Sequence, residues 1–162
     1  MAHQAPAVSA GEKPVLERTY ANTGFEPIDD EHEVLDHALD AFVRTVNSGK
    51  VAEVRVAMDE LILGIEDHFA HEERLMSKHA YPNQKQHRDA PTSFVVDMRK
   101  AGRELERDEV PPDFRRWAVT RLPDWFRFHI LTHDIGLGQF LLRVGASQKE
   151  AAANSPTDGM AQ

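Results

Sequence analysis

Apolar residues in this chain recur every three or four positions from Val34 to Leu141, and no stretch shows the strict alternation of a half-buried strand. That pattern restricts the fold to helices. Four segments carry it. The first starts near Asp29 or Asp30, either of which can cap an opening turn, and runs through Val34, Leu35, Leu39, Phe42, Val43 and Val46 to a stop at Gly49. The second spans about 51–79, with Val54, Val56, Met58, Leu61, Ile62, Ile65, Phe69 and Leu75 marking its inner side. Tyr81-Pro82-Asn83 reads as a turn. The third holds Phe94, Val95, Val96, Met98 and Leu105. The fourth opens at Pro112 and carries Phe114, Trp117, Leu122, Trp125, Phe126, Ile130, Leu137 and Leu141, with Pro123 expected to bend it or split off its first turns. Four long helices with short connections imply an all-α, up-down-up-down antiparallel four-helix bundle.

The 162 residues suit one domain, expected over 19–146, flanked by a flexible N-terminal extension, 1–18, and a flexible C-terminal tail, 147–162. A formal net charge of −8 argues against nucleic acid or an anionic membrane surface as partner. The absence of cysteine excludes disulfides, thiolate catalysis and iron–sulfur clusters. With no apolar run near the roughly 20 residues of a membrane span, and no signal-peptide pattern, the expected location is the cytoplasm.

Nine histidines are the compositional oddity, and their placement is informative. The first helix offers His32, the second His68 and Glu72, the start of the third segment His87, and the fourth helix His129 and Asp134. His68 and Glu72 are four apart and share a helix face with Ile65, Phe69 and Leu75, so that face points inward. Imidazole and carboxylate without sulfur suit iron or manganese. Glu72 and Asp134 each have two oxygens and can bridge two cations. His129 and Asp134 are five apart, about 140° round an ideal helix, so a π-bulge is needed to aim both inward. His133 is the better-phased partner of His129 and stays open as an alternative ligand. Taken singly, each such histidine is more often a solvated or core residue than a ligand. His37, His71 and His79 fall outside the ligand pattern and are read as surface residues.

The order and spacing of Ile28-Asp29-x-x-His32, His68-Phe69-x-x-Glu72-Glu73-x-x-Met76, Tyr81-Pro82 leading to His87, and Trp125-x-x-x-His129-x-x-x-x-Asp134 resemble the hemerythrin family, in particular its bacterial members. The resemblance implies two non-haem irons bridged by Glu72, Asp134 and an oxo or hydroxo group. It implies one iron on His32 and His68 with an open position for dioxygen, and the other on His87 and His129. Phe69, Trp125 and Phe126 would line an apolar pocket around the gas. The ligand would be dioxygen or another small diatomic or peroxide, and no protein partner is legible.

One position departs from the family pattern. It expects a histidine four residues after His87, and Pro91 stands there. A proline there clashes with the carbonyl of His87, so the third helix is expected to begin only at Ala90 or Pro91, with His87 in a loop. Three arrangements stay open: a second iron with fewer protein ligands, His133 as substitute, or a mononuclear centre. The functions that go with them are dioxygen binding for storage, delivery or sensing, a di-iron oxidase or peroxidase acting on dioxygen, peroxide or nitric oxide, and an interaction bundle with a degenerate site.

Overall fold

The computed structural model describes residues 22–103, 105 and 109–153. It is all-helical, without a strand among the described residues. The elements are α1 (Glu26–Ser48), α2 (Val51–Lys78), α3 (Gln84–Arg103) and a long fourth segment. That segment comprises α4 (Pro112–Arg116), a π turn (Trp117–Arg121), α5 (Leu122–His129), a second π turn (Ile130–Asp134) and α6 (Ile135–Arg143). A short α7 follows (Gln148–Ala152). No helix among the described residues is long and apolar enough to cross a membrane.

Local chemistry sets the boundaries. α1 opens with Pro27 in its first turn, where the missing amide costs nothing, and closes on Gly49 in the left-handed region at φ 77°. Ahead of α1, the Asp29 carboxylate accepts from the amide and hydroxyl of Thr23, both at 2.8 Å, and from the Gly24 amide. This loop lies against α6 at Gly138, where a Cβ would come within 2.5 Å of Thr23 Cβ. Only glycine admits that approach.

Three expectations are corrected. α3 does not start at Ala90 but six residues earlier, and it runs through Pro91, so His87 is helical rather than in a loop. Proline deprives the His87 carbonyl of its donor. The neighbouring turn makes up hydrogen bonds from side chains: Thr92 Oγ1 donates to the Arg88 carbonyl and Ser93 Oγ to that of Ala90. Secondly, residues 148–152 are not a tail but α7, with Ala151 buried and Gln148 accepting from the Glu26 amide that begins α1. Thirdly, Val56 lies outside, 58% exposed, because it falls between the core positions Val54 and Met58. The 1–18 extension lies outside the described residues, as does the rest of the tail beyond 153.

Pro123 does not split the fourth segment. The π turn before it, in which the Leu122 amide bonds to the Trp117 carbonyl five residues back, already shifts the ladder where proline lacks a donor.

The core comes in two apolar clusters. The larger is built from Leu35, Leu39, Phe42, Val54, Met58, Ile65, Phe94, Met98, Leu122, Phe126 and Ile130, among others. The smaller holds Phe25, Ile28, Leu75, Met76, Leu137, Leu141 and Ala151. Full burial of each such Leu, Ile or Phe contributes roughly 1.5–3 kcal/mol. Along α1, α2 and the fourth segment the chain passes from one cluster to the other, and buried histidines and carboxylates mark each crossing. A polar layer is thus sealed between two apolar plugs.

Candidate metal centre

The polar layer consists of His32 from α1, His68 and Glu72 from α2, His87 from α3, His129 from the end of α5, and Asp134 from the second π turn; all are buried. The Ile135 amide bonds to the Ile130 carbonyl, five residues back. That widened ladder brings His129 and Asp134 to one side, with His129 Nε2 3.1 Å from Asp134 Oδ1.

The six residues form two overlapping groups, each with one ligand atom per residue within 4.8 Å of the others. One group is His32, His68, Glu72 and Asp134; the other is Glu72, His87, His129 and Asp134. The two carboxylates belong to both. His32 Nε2 lies 3.2 Å from Asp134 Oδ2, and His87 Nε2 lies 3.1 Å from Asp134 Oδ1.

Several of these atoms have no hydrogen-bond partner although fully buried: Nε2 of His32, His68 and His129, both oxygens of Glu72, and Oδ2 of Asp134. An unsatisfied buried polar group costs roughly 1–3 kcal/mol, and so many turned toward one point require something to satisfy them. Imidazole lone pairs and carboxylate oxygens together satisfy a hard-to-borderline divalent cation. The residues present therefore fit metal ions.

Charge leads the same way. Burial and the neighbouring Asp134 and Glu31 carboxylates push the Glu72 carboxyl well above its ordinary range. Burial also works against ionisation of Asp134, but the His129 imidazole, and beside it those of His32 and His87, outweigh it and hold that carboxyl well below its ordinary range. Burial lowers the His68 imidazole, which keeps its lone pair available.

Two residues that sequence reasoning passed over stand behind the first group. Glu31, 1% exposed on α1, accepts from His68 Nδ1 through Oε2 at 2.8 Å. Its other oxygen accepts from His71 Nδ1. His71 is therefore no surface residue. It is 1% exposed, turned inward one helical turn from His68. With Nδ1–H donated to Glu31, His68 is left with Nε2 as a bare lone pair facing Glu72, 3.6 Å away. The acidic run Asp29-Asp30-Glu31 hid this role, because a carboxylate before a histidine looks solvated until the facing helix is known.

Of the expected pocket residues, Phe69 packs its ring against His68 at 5.2 Å and His129 at 5.1 Å. Trp125 stacks on His129 at 5.0 Å. The ring contacts of Phe126 are instead with Trp125 and Phe94, which places it behind the wall. Phe94, stacked on Trp125, completes this apolar side. His133 is half-buried with its ring 4.9 Å from that of His129 and 5.5 Å from that of His87, yet it joins neither ligand group. Burial and the adjacent His129 lower its imidazole. His37 is exposed beside Glu33, and His79 caps α2 away from the centre.

Comparison with curated proteins returns no match. The family model described as the hemerythrin HHE cation binding domain matches residues 23–139, a stretch that contains all six buried ligand candidates. This chain, with its cation-sized groups of histidine and carboxylate, belongs to the hemerythrin HHE cation-binding domain family.

Proposed function

We infer that the protein is a non-haem di-iron protein that binds dioxygen, with His32, His68, Glu72, His87, His129 and Asp134 as its metal ligands. The observation that carries this reading is the pair of overlapping ligand groups sharing Glu72 and Asp134, since two cations so close need bridging carboxylates. Iron would supply the redox chemistry and gas affinity that side chains lack. The up-down-up-down antiparallel bundle belongs to the same reading, supported by the short connections at 49–50 and 79–83.

The chain's own residues do the rest. Glu31 orients His68 and fixes its tautomer. Phe69 and Trp125 wall the histidines on one side and exclude water, which protects a bound gas from proton-assisted loss. Gas reaches the site as a neutral small molecule and needs no charged path. The acidic surface and the absence of a basic stripe fit a role without nucleic acid.

A second reading, a di-iron oxidase or peroxidase acting on dioxygen, peroxide or nitric oxide, is favoured by one observation. Pro91 occupies the position one turn beyond His87 and is buried there without a donor atom. Anaerobic reconstitution with ferrous iron, followed by cycles of oxygen and vacuum, separates the two. Dioxygen binding requires two irons per chain and a visible band that appears with oxygen and vanishes without it. Irreversible oxidation in the first cycle would refute reversible binding and leave the oxidase.

A further inference from the structure

The metal centre leaves one buried group unused. His71 joins neither ligand group, yet it is 1% exposed on α2, and its Nδ1–H is donated to Glu31, which also holds His68. Its other nitrogen, Nε2, is fully buried and has no hydrogen-bond partner. The two nitrogens of an imidazole point to nearly opposite sides of the ring, so Nε2 is turned away from Glu31. With the proton on Nδ1, Nε2 is a bare acceptor, and a buried acceptor left without a donor is costly.

The His71 ring lines a cavity of about 280 Å³ between the last turns of α2 and the short α7. Arg74, Leu75 and Lys78 line it from α2, and Ser147 and Ala151 from the other side. His71, Arg74 and Lys78 follow one another at steps of three and four, so one face of α2 carries all three. No Asp or Glu is found among the described lining residues, which sets this cavity apart in a chain of net charge −8. Its volume falls just short of the roughly 300–1,000 Å³ of pockets for drug-sized ligands, and a water takes roughly 30 Å³. A small ion with a few waters suits it.

We propose that the α2–α7 cavity is a binding site for a small oxyanion that keeps a hydroxyl at neutral pH, hydrogenphosphate being the simplest. The Arg74 guanidinium and the Lys78 ammonium meet its negative charge, and its O–H donates to His71 Nε2. The need for a hydroxyl follows from the tautomer, because Nδ1–H is committed to Glu31 and Nε2 can only accept. Sulfate has a similar shape but no proton at neutral pH, so it would set a lone pair against a lone pair. A continuous chain of hydrogen bonds then runs from the occupant through His71 and Glu31 to His68 of the first ligand group. The site itself requires no metal.

The full chain, as purified and again after chelation of any metal, is titrated with inorganic phosphate and with sulfate at neutral pH and constant ionic strength. Calorimetry reads affinity, and heteronuclear NMR of the chelated chain reads the histidine rings. Phosphate should bind saturably, at least tenfold more tightly than sulfate, and should shift the Nε2 resonance of His71. Arg74→Ala combined with Lys78→Ala, both at exposed positions, should weaken phosphate at least tenfold with the circular dichroism spectrum unchanged. His71→Phe should remove the preference for phosphate; where that variant fails to fold, the native ratio and the double variant still decide. Equal affinity for the two anions, an unmoved His71 resonance, or phosphate binding indifferent to the double variant would overturn the site. Loss of phosphate binding on chelation, at an unchanged circular dichroism spectrum, would assign the anion to the metal centre and overturn it equally.

Discussion

The two ligand groups share Glu72 and Asp134 but differ in what stands behind their histidines. In the first, His68 is held from the rear by Glu31, which in turn is held by His71, all three buried. In the second, no such carboxylate backs His87 or His129 in the contacts described above; their neighbours are rings, namely Phe69, Trp125 and His133. The first group is buttressed at His68, while His87 of the second lines a cleft together with Pro91. A ligand whose far nitrogen is anchored loses little freedom on binding metal, and its basicity is raised. The account therefore makes the first position the tighter, and the second the adaptable one.

The largest effect should come from removing what the groups have in common. Glu72→Ala deletes a carboxylate from both, and metal content measured by elemental analysis should fall from two ions per chain to one or none. Retained stoichiometry of two would dismiss Glu72 as a bridge.

Next comes the asymmetry itself. Glu31→Ala should weaken the first position about 10–100-fold, the usual cost of losing an outer hydrogen-bond partner, and should leave the second nearly unchanged. Glu31→Gln, which still accepts through its amide oxygen, should recover part of the loss. Equal weakening at both positions, read by competition with a chelator, would break the comparison.

A smaller, shared effect concerns protons. The Glu72 carboxyl is raised above its ordinary value, chiefly by burial and then by Asp134. Between the ordinary carboxylate range and that raised value, the metal-free chain keeps a proton on Glu72 that a cation must displace. Loading should therefore release protons, and affinity should rise with pH through this window. An indicator dye in weak buffer measures the release; proton-neutral loading at slightly acid pH would contradict the assignment.

His133→Leu should have the smallest effect. Its ring lies beside both histidines of the second group but outside the ligand set, so metal content should stay within error of the native protein. A clear loss of the second ion would make His133 the substitute for the donor missing at position 91.

Much of the fold was legible because it follows from periodicity. The apolar spacing in α1 and α2 left few choices, and Gly49 between them is the residue a helix stop demands. His68 and Glu72 were legible as neighbours because a four-residue step shares a face. The approach of Asp134 to His129 required a π turn, a device that spacing can call for but no residue type announces. The start of α3 was misread because a proline breaks an isolated helix, whereas here the hydroxyls of Thr92 and Ser93 supply hydrogen bonds around it. Glu31 and His71 were missed for a different reason. Their meaning lies in a contact between two helices, 37 and 40 residues apart in sequence, that no local pattern encodes. Likewise α7 is too short to show a periodicity, and its docking through Ala151 and Gln148 depends on tertiary contact.

The most direct test is an anaerobic calorimetric titration of the metal-free full chain with ferrous iron. The account predicts two equivalents bound in two resolved steps, the tighter weakened in Glu31→Ala and the weaker strengthened in Pro91→His. A single equivalent, or two identical sites indifferent to both substitutions, would contradict it.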